Sequence, residues 1–182
     1  MEETSAARCL GADIRSAPMA AESSHVTQRV DNAVATAHRI AVLPLPMDLR
    51  VRMLATQPCA SAFHGVEVTQ WSQSLVTRLS LKIMTAIWGD SRRNRCNEIV
   101  LSLFAPGHQV DPLQALPYRR LVGLVRMAQR RPDVRALILK VRRLAGTRPP
   151  LGPEDLARDA FRRVGWRWDE PWNVMAGNTT IS

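Results

Sequence analysis

The sequence predicts an all-α protein: an irregular bundle or array of about six or seven helices behind a flexible N-terminus. Three observations carry this expectation. From Thr27 onward, apolar residues return at steps of three and four, the period of a helix with one buried face. No stretch alternates apolar and polar residues for long, so strands are scarce. Proline and glycine fall where the apolar stripes stop, as helix punctuation should.

Residues 1–26 are small and polar without a sustained period, and read as a flexible lead-in. The first stripe, Val30, Val34, Ala37, Ile40 and Ala41, ends at Pro44 and Pro46. A second helix, from about Met47 to Thr56, carries Leu49, Met53 and Leu54 on one side until Pro58 stops it. Residues 59–68 fit either a short helix or a turn, with Gly65 as the break. Leu75, Leu79, Ile83 and Ile87 then form the clearest stripe, closed by Gly89. Asn94 to Phe104 predicts a helix burying Cys96, Ile99, Val100 and Leu103.

Asp111-Pro112-Leu113-Gln114 is a helix start, with a capping acceptor, a first-turn proline and a glutamine three residues after the aspartate. That helix carries Leu121, Val122 and Val125 inward up to Arg131-Pro132. Asp133 caps the next, whose apolar face is Val134, Leu137, Ile138, Val141 and Leu144. A Pro/Gly-rich linker from Gly146 to Gly152 precedes a last helix, Glu154 to Val164, presenting Leu156, Ala160, Phe161 and Val164. The expected organisation is a flexible 1–26, a helical domain over 27–148, and a C-terminal helix with a Trp-rich tail over 149–182.

The chain of 182 residues carries a net charge of +9, which favours an acidic partner and nucleic acid first among them. Among its 25 basic residues only Lys82 and Lys140 are lysines. Guanidinium groups suit phosphate because they fork onto it and stack on bases. Arg119, Arg120, Arg126, Arg130, Arg131, Arg135, Lys140, Arg142, Arg143 and Arg148 face Asp133 alone, so residues 119–148 hold +9 by themselves. These bases mostly avoid the apolar stripes and are expected on the outward face. Two readings follow: an ordinary solvated face, or a grip on the RNA or DNA backbone. Trp166, Trp168 and Trp172 lie among Arg162, Arg163 and Arg167, and suit either base stacking or docking onto the bundle.

Catalytic patterns are not found. There is no Gly-rich phosphate loop, no GxSxG and no HExxH. Cys59 with His64 lacks the further groups that a thiol nucleophile or a metal site would need. The acidic residues are scattered, so no two-metal site is expected, and neither is a cofactor. Three widely spaced cysteines fit a reducing compartment, cytoplasmic or nuclear, and no apolar run suits a membrane span.

With these segments placed, one family resemblance emerges. Arg39-Ile40, Leu43-Pro44, the short helix, Phe63-His64-Gly65-Val66-Glu67 and Ala86-Ile87-Trp88-Gly89 follow in that order. The series resembles the thumb and following region of non-LTR retrotransposon reverse transcriptases, where the middle motif usually reads Leu-Tyr-Gly-x-Glu. Phe63 and His64 stand for the first two residues, while Gly65 and Glu67 match. Gly107-His108, Asp111-Pro112, Gly165-Trp166-x-Trp168 and Pro171-Trp172 are similar to the downstream part of some such elements. The resemblance spans roughly 29–172. It implies a helical thumb that follows template–primer duplex through its backbone, partnered by other parts of a retroelement polymerase. The family's Tyr/Phe-x-Asp-Asp core motif does not occur, so the resemblance implies a fragment that holds nucleic acid and does not polymerise. A helical protein-interaction scaffold is the alternative, as is a relic reading frame without a selected role.

Overall fold

Helices α1 (Ser24–Ala41) and α4 (Gln73–Trp88) pack on each other as the main pair of their unit. The computed structural model describes residues 6–9, 12–15, 24–89, 96–103, 105–143, 152–168, 174–176 and 179–181. The fold class is all-α, with only short strands, and the described residues group into two units. One contains Ala21–His64 and Trp71–Leu116; the other contains Met1–Ala20, Gly65–Gln70 and Pro117–Ser182.

In the first unit, α1 buries Val26, Val30, Ala33, Ala37 and Ile40 at helical spacing. From α4 the buried set includes Leu75, Leu79, Ile83 and Ile87, the full stripe expected from the sequence. Each Val, Leu or Ile side chain among these contributes about 1.5–3 kcal/mol on leaving water, before the entropy of ordering is set against it. Ser72 caps α4 through its hydroxyl, which accepts from the Leu75 N–H at 3.3 Å. Gly89 ends the helix with φ 92°, a conformation in which a Cβ would be strained.

Helix α2 (Met47–Leu54) begins after Pro46, with Asp48 favourably placed in its first turn. It turns Val51 and Leu54 inward and leaves Leu49 exposed, whereas sequence spacing places Leu49 on the buried side. Pro58 does not stop the chain's helical course. Ala55–Cys59 widens into a π-turn that continues into the short α3 (Ala60–Ala62). Proline has no N–H to give and its ring crowds the carbonyl four residues back; the wider turn accommodates both defects.

Helix α5 (Asn97–Leu103) is shorter than expected and faces differently. Val100 and Leu101 are buried, while Ile99 and Leu103 are 54% and 73% exposed and Cys96 is exposed as well. The short α6 (Gly107–Val110) follows, then Asp111, whose carboxylate accepts from the Leu113 N–H at 3.2 Å and the Ser80 hydroxyl at 2.9 Å. That capping starts α7 (Pro112–Arg130). Arg50 has a structural role that sequence spacing does not signal. Its guanidinium donates to Leu45 O (3.1 Å), Ile87 O (3.3 Å), Leu43 O (3.4 Å) and Ala86 O (3.5 Å), covering carbonyls at the end of α4.

The second unit takes α7 from Pro117 onward, α8 (Pro132–Arg143) and α9 (Pro153–Arg163). Leu124, Ala128, Ile138 and Ala157 form its buried cluster, with Leu121, Val134 and Trp168 packed against it. Val125 and Leu137, expected inside, are exposed, as is Val164. Gly152 (φ 94°) precedes α9, and Gly165 (φ 73°) turns the chain from α9 into β3 (Trp166–Trp168). Strand β3 pairs antiparallel with β4 (Val174–Ala176), and β4 with β5 (Thr179–Ile181). Near the start of the chain, β1 (Ala6–Cys9) and β2 (Ala12–Arg15) form a hairpin inside the segment read as a lead-in. The rest of the expected flexible segment up to Ser23, together with Asn94, Phe104, Leu144, Arg148, Pro171 and Trp172, lies outside the described residues.

Candidate nucleic-acid interface

Of the ten basic residues of 119–148, the nine that are described (all but Arg148) lie on the α7–α8 hairpin, and the fold sorts them into distinct environments. On α7, Leu116, Arg120, Leu124 and Ala128 recur every fourth residue and are all buried. Arg119, Arg126 and Arg130 follow another line, at steps of seven and four. They stand roughly 10 Å and 6 Å apart along the axis at about 1.5 Å rise per residue. Arg126 and Arg130 are exposed and Arg119 is half-buried. The fold therefore offers a basic ridge on one side of α7.

Arg120 departs from the outward-face expectation. It is 6% exposed and lies on the buried line of α7. Its Nε donates to Val66 O at 3.3 Å and its Nη2 to Thr69 O at 3.1 Å. Burial pushes its pKa down to about 10, helped by the nearby Arg163 and opposed by Asp159 and Glu67. At neutral pH it remains charged. A phosphate would have to displace two carbonyls to reach it, so Arg120 is removed from the candidate contacts.

On α8, Pro132 takes the first position and Asp133 lies in the first turn. Arg131 donates to Asp133 through Nε (3.0 Å) and Nη2 (2.7 Å). That hydrogen bond holds the Asp133 carboxyl below the usual carboxylate range. The pair is exposed and its charges cancel locally. Arg135, Lys140 and Arg143 are exposed. Arg142 is half-buried; its guanidinium lies 4.8 Å from the centroid of the Trp168 ring and donates to the Trp168 carbonyl oxygen. Trp168 therefore docks on the helical core, one of the two roles open from the sequence.

The residues of the Phe63-His64-Gly65-x-Glu67 pattern divide between two environments. Phe63 is fully buried and packs on Trp71, ring centroids 5.9 Å apart. The His64 side chain is exposed, while its carbonyl accepts from Arg29 Nη1 at 2.7 Å. Gly65 adopts φ 69°, which explains the glycine. Glu67 lies against α7, its Cγ 2.6 Å from where a Cβ on Gly123 would sit.

Comparison with protein-family models, with curated proteins and with solved structures finds no match for this chain. Cys59 is buried and its thiol donates to Val110 O at 3.6 Å, which is a packing role. Among the described residues, no group of three or more His, Cys, Asp and Glu is placed to hold a metal ion. Among them, too, no helix is long and apolar enough to cross a membrane.

Several arginines outside the hairpin are tied into the fold. Arg78 pairs with Asp31, Arg158 with Glu154, and Arg163 with Asp159 at 2.9 Å. Those three pairs offset charge locally, whereas Arg29 and Arg50 are held by backbone carbonyls. The inward placement of Arg120 has a signal in the sequence, since it shares the four-residue spacing of Leu116 and Leu124.

Proposed function

We propose that this protein is a non-catalytic helical module that holds RNA or DNA by the phosphate backbone. Arg119, Arg126 and Arg130 on α7, with Arg135, Lys140 and Arg143 on α8, are the contacts. The observation that carries this reading is the basic ridge of α7, placed on a different line from the buried residues of the same helix. Such contacts give grip and register without reading base sequence. The arrangement suits the thumb-like region of a non-LTR retroelement polymerase, whose other parts would then be protein partners in cytoplasm or nucleus.

The test is an electrophoretic shift assay with RNA–DNA hybrid across a salt series. Six phosphate contacts predict a log–log slope near −5 with salt, taking about −0.9 per contact on duplex. Affinity that does not change with salt, or no binding at all, overturns the reading.

A second reading is favoured by the exposed Ile99 and Leu103 on α5 and by Val42 and Leu43 after α1, apolar groups suited to a protein partner. In that case light scattering detects association of the isolated chain, and charge reversal along α7 and α8 leaves function unchanged. A monomer with salt-steep nucleic-acid binding rules it out.

A further inference from the structure

Phe161 lies between two indoles. Its ring centroid is 5.5 Å from that of Trp168 and 6.4 Å from that of Trp166, with planes tilted by 47° and 32°. The two tryptophans are alternate residues of β3 and so share one face of the strand. Their situations differ. Trp168 is committed: it packs on the Leu124–Ala128–Ile138–Ala157 cluster and has Arg142 against its ring. Trp166, at the other end of the row, is 38% exposed.

Its position is fixed all the same. Gly165 at φ 73° sets the entry into β3, the strand pairs Trp166 with Ala176, and Phe161, itself buried, backs the indole. A large aromatic side chain held in place with surface left in water is ready to stack at little ordering cost. Arg162, at the end of α9 just before the Gly165 turn, is exposed and adds positive charge close by in the chain.

We propose that Trp166 is a stacking shelf for an unpaired nucleobase, with Arg162 serving a phosphate next to that nucleotide. The substrate class is then nucleic acid with a single-stranded segment. This inference rests on the backbone-holding role of α7 and α8 proposed above. An indole takes any base, because every base has a π-face, so the shelf confers strandedness without sequence.

The experiment measures binding of the full chain to an oligouridylate RNA and to the same strand annealed to oligodeoxyadenylate, at one salt concentration. Trp166→Ala weakens single-strand binding by about 5- to 150-fold, the range expected for losing one base–aromatic stack. Hybrid binding changes less than about twofold, and Trp166→Phe restores most of the single-strand affinity. Should Trp166→Ala fail to fold, Trp166→Leu keeps apolar bulk without the π-face and carries the same expectation. Equal losses on both ligands, or no loss on the single strand, overturn the shelf. Wild-type binding to hybrid but not to single strand overturns the shelf and leaves the backbone reading standing. Binding to neither ligand overturns both.

Discussion

Glu67 occupies the space that a side chain on Gly123 would need. A Cβ built on Gly123 would meet Glu67 Cγ at 2.6 Å, well inside van der Waals contact, and Glu67 Cβ at 3.5 Å. Glycine in a helix interior normally costs about 1 kcal/mol relative to alanine. At this position the absence of a side chain is what lets the segment after Gly65 lie against α7.

The expected consequence is a reversal of sign. Gly123→Ala alone destabilises by about 1 kcal/mol, because the displacement of Glu67 outweighs the gain in helix propensity. In a Glu67→Ala background the same substitution stabilises by up to about 1 kcal/mol. Urea unfolding of the four proteins measures this coupling, and simple additivity would contradict the contact.

Arg120 and its exposed neighbours on α7 should separate stability from binding. Arg120→Met leaves the Val66 and Thr69 carbonyls without their donor and costs about 1–3 kcal/mol in unfolding free energy, partly offset by relief of a buried charge. Nucleic-acid affinity of the folded variant stays within about twofold, since this guanidinium faces inward. Arg126→Ala and Arg130→Ala do the opposite. Stability moves by less than about 0.5 kcal/mol, and each removes roughly one unit from the salt slope.

Asp133 gives a pH-dependent readout. Its hydrogen bond from Arg131 outweighs a small opposing effect of burial and lowers its pKa in the folded protein. A carboxyl whose folded pKa is depressed adds stability above its unfolded pKa, and that increment is lost as pH falls through the lower folded value. Carbon-13 detected titration should therefore show Asp133 protonating at lower pH than an ordinary aspartate. Arg131→Ala returns it to the usual range, and raised salt moves it part of the way.

The face of α4 is testable with two neighbouring leucines. Leu79 is fully buried, so Leu79→Ala costs about 2–5 kcal/mol. Leu81 is exposed, and Leu81→Ala changes stability by less than about 0.5 kcal/mol. Thermal or urea unfolding that gave equal losses would contradict the orientation of the helix.

The helices are largely legible in the sequence because their periodicity is local. Leu75, Leu79, Ile83 and Ile87 fall on one face in any straight helix, and all are buried. Facing is harder to read in short or two-sided helices. On α5 and α8 either side carries enough apolar residues to pass for the inner one, so spacing places Ile99, Leu103 and Leu137 inward although they are exposed. Pro58 reads as a stop because regular α geometry forbids it, whereas a π-turn does not. In the candidate site, the concentration of arginine is plain, but the partners of Arg120 and Arg142 depend on packing. For Arg120 and Arg142 those partners come from segments distant in sequence, which residue spacing cannot reveal.

The bond from Arg120 to Val66 also imposes a schedule. Gly65–Gln70 belongs with the chain from Pro117 onward, and the donor to Val66 arrives 54 residues later, that to Thr69 51 residues later. At a synthesis rate of about 5–20 residues per second, those carbonyls wait roughly 3 to 10 seconds in water before α7 exists to receive them. During that interval a nascent chain can complete much of α1 to α4 while Gly65–Gln70 stays open to chaperones or proteases.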